Sequence, residues 1–231
     1  TNEVILSWLQ YFSENVDINL AKLKMLDITG KNKNLIPTIM SNRAVLVFTD
    51  AGHPDIFYDM WNAELGNCDI WYNEGSDPSG EIKHDKVSDM INRGINASAA
   101  MLILNPDAAT NYHIGMENSR FTCGSVQYVC REVRAIIMSK LNLRDQDNIC
   151  IISGESIAVE AAMIAAEGSV IAVEYDPRDR KTMKENIENF GLKNVIIVES
   201  LEDDILDKLP VPDLAFIVAS PRIDSEIKSL L

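Results

Sequence analysis

A series of short, uninterrupted aliphatic runs sets the architecture open to this chain: Ala44 to Phe48, Ala100 to Leu104, Ile149 to Ile152, Ser169 to Val173, Val195 to Val198 and Leu214 to Val218. A strand with one wet face alternates apolar and polar residues, whereas a strand covered on both faces is apolar throughout. These runs do not alternate, so each predicts a buried strand of a parallel sheet. Between them the apolar spacing shifts to the helical period, over Val4 to Phe12, Pro54 to Leu65, Lys86 to Asn92, Gln127 to Leu141, Ile157 to Ala166, Arg178 to Asn189 and Asp203 to Leu209. Strands and helices in alternation place the chain in the α/β class.

The rhythm lapses between Asn105 and Ser125, where Pro106, Asp107, Asn111, Gly115, Asn118 and Gly124 gather. Turn formers at that density mark a linker. The expected domains are therefore residues 1–108 and 109–231. Upstream of the break only two runs read convincingly as strands, so a truncated first domain is expected, followed by a domain that is incomplete at its C-terminus. With 231 residues there is enough chain for one or two cores. The formal charge of −14 opposes binding to phosphate backbones, which excludes nucleic acid as an expected partner. No apolar run approaches the roughly 18 residues of a membrane span. Cys68, Cys123, Cys130 and Cys150 form no C-x-x-C pair, which points to reduced thiols and a cytoplasmic protein. The acidic run Glu199 to Asp207 reads as a solvated face.

Chemistry concentrates downstream. Ile149 to Ile152 leads into Ser153-Gly154-Glu155-Ser156 and then into the apolar helix from Ile157. A strand, a turn of small residues and a helix make a Rossmann-like ligand site, because free amides at the helix start favour a polar or anionic group and small residues admit it. One strand later, Val173 is followed by Glu174, about twenty residues beyond the turn, where a carboxylate can accept both hydroxyls of a ribose. Glu174 could equally open the turn Tyr175-Asp176-Pro177.

Further residues carry a resemblance. Glu132-Val133-Arg134-Ala135, Ser139 to Leu143, Ile157 to Ala162, Val173 to Pro177, Asn186, Asn189-Phe190-Gly191, Asn194-Val195 and Leu209 to Asp213 occur in the order found in the decarboxylating precorrin methyltransferases of cobalamin synthesis. The chain resembles that family from about Phe121 to Val218. The resemblance implies a class I S-adenosylmethionine-dependent methyltransferase domain acting on a precorrin. It also implies a cofactor bed of Ser153, Gly154, Glu155, Ser156, Glu174 and Tyr175, and a homo-oligomer. The family's glycine-rich loop is reduced here to a single glycine, and Glu155 would set a carboxylate beside that of the cofactor's methionine. A catalytically degenerate relative, serving as a binding or assembly module, is the competing expectation.

Upstream, Asp27 to Lys31, Thr49-Asp50-Ala51-Gly52-His53-Pro54, Asn73-Glu74-Gly75, Gly80-Glu81-Ile82 and Asn105-Pro106 resemble the C-terminal portion of the tetrapyrrole methylases, a domain that precedes the other one in bifunctional enzymes. His53 reads as a helix cap or a ligand contact, and Asp50 as a turn or catalytic residue. His84 and His113 stand alone, with no spacing that makes a metal site. Trp8, Trp61 and Trp71 fall on predicted elements and read as core or interface residues.

Overall fold

The computed structural model describes residues 2–29, 34–50, 53–93, 99–109, 114–125 and 128–231. They fall into two compact units, residues 1–112 and 113–231. The first comprises α1 (Asn2–Asn15), β1 (Lys24–Asp27), α2 (Leu35–Ser41), β2 (Ala44–Phe48), α3 (Ile56–Asn62), β3 (Asp69–Tyr72), β4 (Lys83–Lys86), α4 (Val87–Met90) and β5 (Ala100–Leu104).

Its sheet runs β1-β2-β5-β3-β4. Alternate residues of β2 and β5 serve two cores, as the two-residue period of a strand requires. Leu46, Ala100 and Leu102 pack with Trp8, Tyr11 and Phe12 of α1. Val45, Val47, Met101 and Ile103 pack with Ile36 and Ile39 of α2, Phe57 and Met60 of α3, and Val87 and Met90 of α4.

Four expectations need correction here. The runs Ala44–Phe48 and Ala100–Leu104 are neighbours, but they pair antiparallel, and only β1 and β2 are parallel. An apolar run encodes burial on both faces and says nothing about direction. The unit also has more strands than the two that the sequence suggested. The ones overlooked include both sheet edges, Lys-Met-Leu-Asp and Lys-His-Asp-Lys, whose polar residues suit an edge and hide the strand signal. The helix expected over Lys86–Asn92 is only Val87–Met90, with Lys86 in β4. The unexpected α2 carries Pro37 in its first turn, where a missing N–H costs nothing. Trp8 is buried, whereas Trp61 is 47% exposed. Trp71 stacks on His84 at 4.0 Å, and the His84 ring meets Asp69 at 2.9 Å. His53 lies 3.1 Å from Asp50, and the helix expected from Pro54 starts at Ile56. His113 lies outside the described residues.

The second unit comprises α5 (Arg131–Leu141), β6 (Ile149–Ile152), α6 (Glu155–Ile164), β7 (Val170–Val173), α7 (Pro177–Asn189), β8 (Val195–Val198), α8 (Asp203–Leu206), β9 (Leu214–Ile217) and α9 (Ile223–Leu230). Its sheet is wholly parallel, in the order β8-β7-β6-β9. The chain steps outward from β6 to β8 and then returns to β9 on the other side of β6, so the topological switch lies between β6 and β9, beyond whose carboxyl ends such sheets bind ligands. This Rossmann-like α/β arrangement is the one expected from the sequence, with Ile149–Ile152 and Val170–Val173 as parallel neighbours. The four cysteines are free thiols.

Candidate cofactor site

The site begins where β6 ends. Ser153 donates its N–H to Val173 O at 3.0 Å, extending the pairing with β7 by one bond. Its φ of 56° lies in the left-handed region, which is costly for a residue with a Cβ. The turn then enters α6 through Gly154. A Cβ on Gly154 would stand 2.8 Å from Ile151 Cγ2, so only glycine fits this close strand-to-helix corner.

Glu174 follows directly on β7 and is 4% exposed. Its Oε1 is buried and has no hydrogen-bonding partner. Burial pushes its carboxyl up to about 8; the charges of Glu155 and Asp179 add to the rise, and the Gly154 amide opposes it. Such a group is starved of donors and suits a ligand with two hydroxyls. Arg180 of α7 fixes the backbone around it, donating Nη1 to Glu174 O at 2.8 Å and to Tyr175 O at 2.9 Å.

Glu155, the first residue of α6, is also buried, and its carboxyl is raised by burial and by Asp179. It bonds the Tyr128 hydroxyl, which in turn is reached by Asn186 Nδ2 at 3.1 Å. Asp179 of α7 accepts from Ser125 N at 2.8 Å and from Ser125 Oγ at 2.7 Å. A Cβ on Gly124 would stand 2.7 Å from Asp179 Oδ1 and 2.9 Å from Glu155 Oε1. Glu155 of α6 and Asp179 of α7 thus flank Gly124, and both charges act on Glu174 at the end of β7.

Of the residues expected to form the bed, Ser153, Gly154, Glu155 and Glu174 come together. Ser156 instead turns toward Arg134, 3.5 Å from its guanidinium. Tyr175 faces α9: its hydroxyl donates to Glu226 Oε1 at 2.9 Å, and its ring lies 4.3 Å from the Arg222 guanidinium. Burial and Glu226 push the Tyr175 hydroxyl up to about 12. Sequence reasoning missed Tyr128, Asp179 and Arg180, which no local motif marks.

Arg134 and Glu160, both fully buried, pair at 2.7 Å. Glu160 also accepts the amides of Gly115 and Met116, and Arg134 donates to Asn118 Oδ1 at 3.1 Å and to Val129 O at 3.1 Å. Arg134 lies 4.6 Å from the centre of the Phe121 ring. These two motif residues tie the segment before α5 to α6, and so hold the wall that carries Tyr128. Asn194 plays a similar structural part, bonding Ala162 O at 2.9 Å and Ala165 O at 2.8 Å.

Residues 123–224 match the precorrin methyltransferase domain. The second unit resembles the precorrin methyltransferases. A Pyrobaculum calidifontis protein named probable cobalt-precorrin-6B C(15)-methyltransferase (decarboxylating) is 38% identical over 91 residues, covering 37% of this chain and 46% of that protein. A Sulfolobus acidocaldarius protein of the same name is 36% identical over 100 residues, covering 42% and 52%. The chain spans about half the length of these curated relatives. Among solved structures, the precorrin-6y C5,15-methyltransferase of Geobacter metallireducens is 30% identical over 51% of this chain and 64% of its own, with a TM-score of 0.47.

Proposed function

We propose that residues 109–231 bind S-adenosylmethionine across the ends of β6 and β7, and that the chain methylates a precorrin with decarboxylation in cobalamin synthesis. The observation that carries this reading is Glu174: a buried carboxyl with an orphaned oxygen, at a strand end beside a glycine turn. Its two oxygens can accept the two hydroxyls of a ribose. The Gly154 corner lets α6 start directly at the end of β6, and the α6 amides offer donors to an anionic group. When bound, S-adenosylmethionine supplies an electrophilic methyl group. Arg180 holds the turn that carries Glu174, and the Arg134–Glu160 pair holds the segment that carries Tyr128.

Residues 1–108 fit this reading as the C-terminal portion of a tetrapyrrole methylase, supported by their motif order. The resemblance to the precorrin methyltransferases carries with it a cytoplasmic homo-oligomer as the expected setting. The test is methyl-labelled S-adenosylmethionine incubated with the chain and a precorrin of the kind named for its relatives. Label in the tetrapyrrole with release of carbon dioxide supports the assignment. Neither product, from a protein that still binds the cofactor, would favour the degenerate binding module.

A further inference from the structure

The three carboxyls of the site have a consequence for which form of the ligand it holds. Glu155 and Asp179 close on Gly124 from α6 and α7, and Glu174 follows β7, the parallel neighbour of the strand that leads into Glu155. The charges that act on Glu174 are those of Glu155 and Asp179, both negative. The nearby cations make their hydrogen bonds to other groups: Arg178 bonds Asp176 at 2.8 Å, although its charge also acts on Asp179, and Arg180 bonds the Glu174 and Tyr175 carbonyls and meets Glu199 at 3.4 Å. Tyr128 and Ser125 supply neutral hydroxyls, which bond the carboxyls without cancelling their charge. Glu174 Oε1 remains buried and without a hydrogen-bond partner beside these groups.

We propose that Glu155, acting with Glu174 and Asp179, makes this pocket select the positively charged sulfonium donor over its neutral thioether product. The proposal rests on the cofactor reading above and adds Glu155 as a specificity-determining residue. The two ligands share the adenosine and the amino-acid end, so the contacts made there cancel in the ratio of their affinities, whereas the charge that each carboxylate presents to the sulfur does not. What differs is one positive charge, which each nearby carboxylate favours by roughly three- to tenfold. A carboxylate at position 155, which would repel the ligand's own carboxylate, thereby acquires a use: it helps the product leave.

The test is calorimetric titration of the full chain with S-adenosylmethionine and, separately, S-adenosylhomocysteine, at pH 6 and pH 8.5. The expected result is tighter binding of the sulfonium by at least about threefold at pH 8.5, with the ratio falling at pH 6, where Glu174, whose carboxyl burial pushes up to about 8, takes up a proton. Glu155→Gln should cut the ratio at pH 8.5 by roughly three- to tenfold. The pH series on the unaltered chain stands even where that variant fails to fold. Equal or tighter binding of the thioether at pH 8.5, or a ratio that moves with neither pH nor Glu155→Gln, overturns the proposal. Failure of both ligands to bind overturns the cofactor reading instead.

Discussion

Replacing Glu174 by glutamine removes a buried charge while keeping the shape of the side chain, and its effect on stability should depend on pH. The carboxyl ionises near its ordinary value of 4.5 in the unfolded chain and at about 8 in the fold. Because the folded value is raised, the protonated carboxyl's contribution is fully present below pH 4.5 and is lost progressively as pH climbs through the gap to about 8. Each pH unit within that gap costs about 1.4 kcal/mol, so the parent should lose about 3 kcal/mol by pH 7 and about 3–5 kcal/mol by pH 8. Glu174→Gln carries no such loss. The two proteins should unfold at nearly the same urea concentration at pH 5, and the variant should be the more stable at pH 8. Circular dichroism reads the whole chain, while Trp8, Trp61 and Trp71 all lie in the first unit and make fluorescence an internal control. A difference in stability between parent and variant that stays constant from pH 5 to pH 8 would refute the description of Glu174 as a desolvated, partner-starved carboxyl.

Other substitutions probe the supports of the site. Arg134→Met leaves Glu160 as an uncompensated buried charge and should destabilise the second unit by about 3–5 kcal/mol in urea unfolding; a loss under about 1 kcal/mol would show that the pair is incidental. At position 153 the left-handed backbone should rank glycine above valine by about 2 kcal/mol in melting experiments, and equal stabilities would argue against that conformation. Gly168→Ala places a Cβ 1.9 Å from the Asp147 carbonyl oxygen and should cost at least about 2 kcal/mol, whereas a neutral result would mean that this turn relaxes freely.

The parallel sheet of the second unit was legible because burial on both faces and short helical connections leave one arrangement for runs such as Ile149–Ile152 and Val170–Val173. Glu174 was legible for the same reason: a charged residue directly after such a run lands at the sheet's carboxyl edge. The mixed sheet of the first unit was not, since Ala100–Leu104 has the same composition whether it runs with or against Ala44–Phe48, and Lys83–Lys86 carries no apolar signal at all. Tyr128 and Asp179 join the site through tertiary contacts with Glu155 and Ser125; the sequence put Tyr128 in a helix from Gln127, whereas α5 begins at Arg131, and Asp179 reads as an ordinary position of an exposed helix. Tyr175 was misread in the other direction: its neighbour Glu174 lies in the site, but its own hydroxyl is taken by Glu226, far along the sequence.

Cofactor binding through Glu174 is tested most directly by calorimetric titration of the full chain and of Glu174→Ala with S-adenosylhomocysteine at pH 8.5, where the parent carboxyl is largely ionised. Saturable binding to the parent is expected, with an affinity lower by about 1.5–3 kcal/mol in the variant, the worth of hydrogen bonds to a charged group. Equal affinity in the two proteins would contradict it.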